Sequence, residues 1–84
     1  MGTSRQEIDK WFDEGIAQGA THMLVVCDTY DHDDYPVYVM PGQDPRKRAE
    51  PRMLGEMQRL MEVYKLDPIK KVEQLNARRV FNYD

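Results

Sequence analysis

The densest group of chemistry-bearing side chains in this 84-residue sequence runs from Asp28 to Asp34, where Asp28, Asp31, His32, Asp33 and Asp34 surround Tyr30. Carboxylates gathered on one short segment are hard oxygen donors, the ligand type that Ca²⁺ and Mg²⁺ prefer. The spacing lacks the central glycine and the distal glutamate of an EF-hand loop. No metal ligands are therefore assigned, and the segment reads as a negatively charged docking surface. Asp28, Asp31, Asp33 and Asp34, with Tyr30 and Tyr35 beside them, are the candidate partner-binding residues, able to imitate phosphate charge toward a basic protein groove.

Just upstream, His22, Cys27 and Asp28 supply the residue types of a thiol nucleophile, its base and an orienting group. Residues an odd number apart on a strand point to opposite faces, so His22 and Cys27 are not expected to meet. A cysteine inside the apolar run Met23 to Cys27 behaves as a small hydrophobe. The start of the loop, Asp28-Thr29, matches aspartyl-phosphate phosphatases only in its first aspartate, because Tyr30 stands where they need a second. The sequence carries no glycine-rich phosphate loop, serine elbow or dinucleotide fingerprint. No catalytic residue and no cofactor are assigned, and the reading is non-enzymatic.

Charge is distributed unevenly. Residues 1–43 hold eight acidic and two basic side chains, a net −6, whereas residues 44–84 hold seven acidic and ten basic, a net +3. Such asymmetry bears on partners rather than on fold. Arg46, Lys47, Arg48 and Arg52 form the second candidate surface, a site for a small anion or nucleotide in a ligand-binding or sponge protein. A sequence pI near 5.3 is far from the basic footprint of nucleic-acid-binding domains, which weighs against duplex binding.

The elements that must position these residues follow from periodicity. Ser4 and Glu7 have capping-box spacing, and Ile8, Trp11, Phe12, Gly15 and Ile16 then draw one apolar stripe, closed by Gly19. The pattern predicts a helix over 4–18. Met23 to Cys27 reads as a central strand buried on both faces. It pairs in a hairpin with Tyr35 to Met40, an edge strand because Pro36 cannot donate to a ladder. Pro41-Gly42 ends that strand, and Gly42 to Pro51 is a polar connection with room for one helical turn. Met53, Leu54, Met57, Leu60, Met61 and Tyr64 trace a second helix, with Met53, Met57 and Met61 spaced four apart for core packing. Asp67-Pro68 starts a short third helix that turns Ile69, Val72 and Leu75 inward. Arg78 to Tyr83 is read as a third strand beside the hairpin.

The expected fold is a single α+β domain over 1–84: a small antiparallel sheet with helices on one face, in the order α-β-β-α-α-β. One cysteine excludes an internal disulfide. The longest apolar stretch is far below the roughly 20 residues of a membrane span, and Met1 to Lys10 lacks a leader pattern. The expected compartment is the cytoplasm. An edge strand, aromatic residues at Tyr35, Tyr38 and Phe81, and opposite charge on the two halves favour a homodimer.

The stretch Gly19 to Gly42, "GATHMLVVCDTYDHDDYPVYVMPG", with "WFDEGIAQGATHM" and "MEVY", resembles small proteins encoded by bacteriophages and prophages. The resemblance implies a setting rather than residues. Small phage proteins without active-site motifs commonly bind and redirect host proteins, including components of bacterial immune systems, so the expected partner is a host protein.

Overall fold

The computed structural model describes residues 5–31, 33–54, 58–77 and 79–84, with 52–54 described by their backbone. Along the chain run α1 (Arg5–Ala17), β1 (His22–Asp28), β2 (Asp33–Val39), α2 (Pro45–Leu54), β3 (Gln58–Lys65), a 3-10 turn (Pro68–Lys70) and α3 (Lys71–Asn76). The fold is α+β with a small antiparallel sheet, ordered β2-β1-β3.

β1 occupies the centre because its side chains are apolar on both faces. Met23 and Val25 join Ile8, Phe12, Tyr64, Leu66 and Val80 in one core layer. Leu24 and Val26 join Val39, Ala49, Leu60 and Val63 in the other. A strand buried on both faces needs cover on both, which corrects the expectation of helices on one face. α1 and the residues around α3 cover the first layer, and α2 covers the second through Ala49.

The element order also differs from the expected one, being α-β-β-α-β-α. Leu60, Met61 and Tyr64, read as one helical stripe, lie on β3. The cause is a register irregularity, for Val25 pairs with Glu62 and Val26 pairs with Leu60, leaving Met61 as an extra residue. A bulge resets the two-residue alternation, so apolar residues at 60, 61, 63 and 64 imitate helical spacing. Met57 lies outside the described residues, as do Ser4 and the side chain of Met53.

α2 replaces most of the expected polar connection. Asp44 Oδ1 accepts from the backbone N–H of Arg46 at 2.9 Å, and Pro45 takes the first helical position, where its missing N–H costs nothing. Asp67 repeats this arrangement, its Oδ1 accepting from Ile69 N–H at 3.0 Å ahead of Pro68.

The C-terminal segment is not a full strand. Val80 O accepts from Val63 N–H at 2.7 Å, and Asn82 N–H donates to Val63 O at 3.0 Å, giving one parallel bridge between Val63 and Phe81. This strap runs along the outer edge of β3. The opposite outer strand, β2, carries Pro36 across from Val25, as an edge position allows.

Two glycines have backbone angles that side chains rarely adopt: Gly19 (φ 81°) ends α1 and Gly42 (φ 91°) turns the chain out of β2. Gly15 serves close packing instead. A Cβ there would stand 2.6 Å from Leu66 Cδ1 and 2.8 Å from Tyr38 Cε1. The Leu66 tip can swing, but the Tyr38 ring is pinned by its hydroxyl, which donates to Trp11 O at 2.9 Å.

Candidate functional site

The hairpin turn between β1 and β2 brings the acidic residues to one end of the sheet. Tyr30 N–H donates to Asp28 Oδ1 at 2.8 Å, an Asx turn that fixes the loop and leaves Tyr30 75% exposed at the tip. Asp28 and Asp33 are direct cross-strand partners, and like charges so placed repel. Asp34 sits opposite Cys27 one step further in, and Asp31 is exposed on the turn. Tyr35 packs against the second core layer, so it supports the site rather than facing outward at the tip. His32 lies outside the described residues. Among the described residues, no three His, Cys, Asp or Glu side chains converge as a metal-binding group.

Strand alternation separates the thiol from the imidazole. Cys27 shares its face of β1 with Met23 and Val25, whereas His22 shares the opposite one with Leu24 and Val26. Burial, reinforced by the Asp34 and Asp28 carboxylates, pushes the Cys27 thiol up from its ordinary value, opposite to what a nucleophilic thiolate requires. His22 is 7% exposed. Its Nδ1 lies 3.0 Å from Thr21 Oγ1, while its Nε2 is buried with no hydrogen-bond partner among the described residues.

The basic residues of α2 diverge. Successive helical positions fan out by about 100°, and Arg46 stacks 4.6 Å from the centroid of the Tyr83 ring. Arg48 turns toward the sheet, where its Nη2 donates to Tyr38 O at 3.5 Å. Lys47 is exposed, and the Arg52 side chain lies outside the described residues. Arg46 and Arg48 are thus spent on holding α2 and the strap in place. Arg48 and Lys65 mark the end of the sheet away from the hairpin turn.

Sequence reasoning missed a buried polar network on β3. Glu62, 9% exposed, accepts from the Tyr64 hydroxyl at 2.9 Å and from Val80 N–H at 3.2 Å. Arg5 Nη1 donates to Tyr64 Oη at 2.6 Å, and Arg5 Nη2 to Ala77 O at 2.9 Å. Burial, and then the Glu62 carboxylate, drives the Tyr64 phenol far above its ordinary range, so it remains a proton donor. The available signal was a carboxylate in an apolar run, Met61-Glu62-Val63. Buried carboxylates need such partners. Beside this network, α1 and α3 enclose an open groove of about 330 Å³ lined by Arg5, Gln6, Asp9, Val72, Leu75 and Asn76.

No family model, curated protein or solved structure matches the chain. Among the described residues, no helix is long and apolar enough to cross a membrane.

Proposed function

We propose that the chain is a non-enzymatic binding protein of a phage or prophage setting that docks its acidic hairpin end onto a basic groove of a host protein. A component of host defence is the class of target that the resemblance implies. The observation that carries this reading is Tyr30, 75% exposed at the tip and held by Asp28 among like charges. Interfaces commonly take their energy from an aromatic anchor, and the acidic residues around this one outnumber the exposed Arg59, which stands across from Cys27 on β3, so that the hairpin end selects a cationic partner. The cross-strand pair Asp28–Asp33 adds a reason for a cationic partner. Two carboxylates facing each other cost the free protein stability, and a bound Lys or Arg relieves that repulsion.

A photo-crosslinking residue in place of Tyr30 tests the reading in host lysate, with the same residue at Lys47 as the control. The expected products link position 30 to Lys- or Arg-rich peptides of one host protein. They should disappear when Asp31, Asp33 and Asp34 are changed to Asn. The Asn variant should stay folded and melt slightly higher, since removing like charges across a strand pair is worth about 0.2–1 kcal/mol. Equal capture by the folded Asn variant would remove the hairpin end from the protein's function.

A further inference from the structure

His22 is held as one neutral tautomer. Thr21 Oγ1 approaches Val39 O at 3.2 Å, and because a carbonyl oxygen only accepts, the hydroxyl donates its single proton there. The 3.0 Å contact between Thr21 Oγ1 and His22 Nδ1 therefore has Nδ1–H donating, which leaves Nε2 as a bare lone pair. That nitrogen is buried with no hydrogen-bond partner among the described residues, in a side chain whose residue is 7% exposed. The ring lies on the face of β1 that α2 and Tyr83 of the strap cover. Lys65, its neighbour on β3, opposes a positive ring, and Asp84 of the strap favours one. From β2 it meets the apolar Val39, and the α2 cations Arg46 and Arg48 are turned to the Tyr83 ring and to Tyr38 O. A proton on Nε2 thus places a charged donor in a dry site beside an ammonium group. Burial and Lys65 outweigh Asp84, so the ring accepts that proton only where water reaches it.

The strap is the short, singly bridged element among those that close this site. Among the described residues, it holds β3 by one parallel bridge, through two main-chain hydrogen bonds to Val63, and by the Val80 N–H that donates to Glu62. β1 is instead paired along both sides. Segments with few main-chain bonds open without the rest of the fold. We propose that the strap is an acid-released cover: protonation of His22 lifts residues 79–84 off β3, hydrates the imidazolium and uncovers the outer edge of the sheet at Val63. The N–H and C=O of Val63, both bound to the strap in the closed form, then become available to another strand.

Hydrogen exchange on the full chain at about pH 7.5 and about pH 5.5, with each amide corrected for its intrinsic rate, tests this. The Val63 and Asn82 amides, which make the strap's bonds, should be less protected than the Leu24 amide of the central strand. At the lower pH they should lose protection by up to about tenfold, the limit for one proton taken up near pH 6.5 by the open form alone. His22→Gln should hold their protection constant between the two pH values, and His32→Gln should keep the full change, which assigns it to one ring. The two pH values in the parent chain decide even without these variants. Strap amides as well protected as Leu24 at both pH values overturn the proposal, since the strap then opens only with the whole fold. So does a lower protection that stays constant or rises on acidification, or a loss that persists in folded His22→Gln.

Discussion

His22 enters the core as a neutral ring. Burial lowers its pKa from the ordinary 6.5, and Lys65 lowers it further, while the backbone and charge of Asp84 act the other way without cancelling the burial. In the unfolded chain the same imidazole takes its proton near pH 6.5. Below that value the unfolded state binds more protons than the folded one, so stability is complete above pH 6.5 and declines as pH falls toward the lowered folded value. Urea unfolding should show a midpoint that drops between pH 7 and pH 5, and His22→Gln should flatten that slope. A slope unaltered in His22→Gln would assign the acid sensitivity to other groups. The residue types on β1 were legible from sequence, and so was the separation of His22 from Cys27, since strand alternation alone decides it. The burial of Nε2 with no hydrogen-bond partner among the described residues was not, because it depends on packing around the ring.

At the scale of elements, α1 was readable because it keeps one helical period, and β1 and the hairpin because a short continuous apolar run is followed by an acidic turn and an alternating strand. β3 was not, because the bulge at Met61 places Leu60, Val63 and Tyr64 at intervals that a helix would also produce. α2 was hidden for another reason. It buries little beyond Ala49 in its first turns, so hydrophobic periodicity is nearly silent there, although Asp44-Pro45 is the same start signal that Asp67-Pro68 gave for the 3-10 turn. After Asp67-Pro68, Leu75 turns toward the first core layer as expected, but Ile69 and Val72 are exposed because the polar Gln74 takes the inward place as a strand surrogate, an arrangement that no apolar stripe encodes. Gln74→Ala should therefore cost more than its place in a six-residue helix suggests. Removing the amide strands the Lys65 N–H, while the Lys65 carbonyl keeps the Asp67 N–H at 2.9 Å, a loss of about 1–3 kcal/mol in unfolding free energy. Amide exchange at Lys65 should accelerate in the same variant, and unaltered exchange would show that Gln74 does not seal β3.

At the scale of the whole molecule, one edge of the sheet is covered by the protein's own chain and the other is blunted by a proline. On one side Pro36 withholds a donor from the outer strand, and on the other the strap from Arg79 to Asp84 occupies β3. Deleting residues 79–84 removes the Val80 and Tyr83 packing and unpairs both polar groups of Val63 and one oxygen of Glu62. A loss of several degrees in melting temperature is expected, with light scattering that grows with concentration as β3 becomes available to other strands. A truncated chain that melts and scatters like the parent would make the strap an ornament.

Charge is also sorted along the strands. Asp28, Asp31, Asp33 and Asp34 outnumber Arg59 at the hairpin end, while Lys65 with Arg46, Lys47 and Arg48 of the first turn of α2 outnumber Asp44, Asp67 and Asp84 at the other. Six strand steps separate the two ends by about 20 Å. The molecule is an electric dipole, and a cationic surface exerts a torque on it before contact, turning the hairpin forward during diffusion. Collisions with such a surface are thereby biased toward the orientation that the proposed docking requires. Added salt should slow association with a basic partner while leaving the lifetime of the complex nearly unchanged.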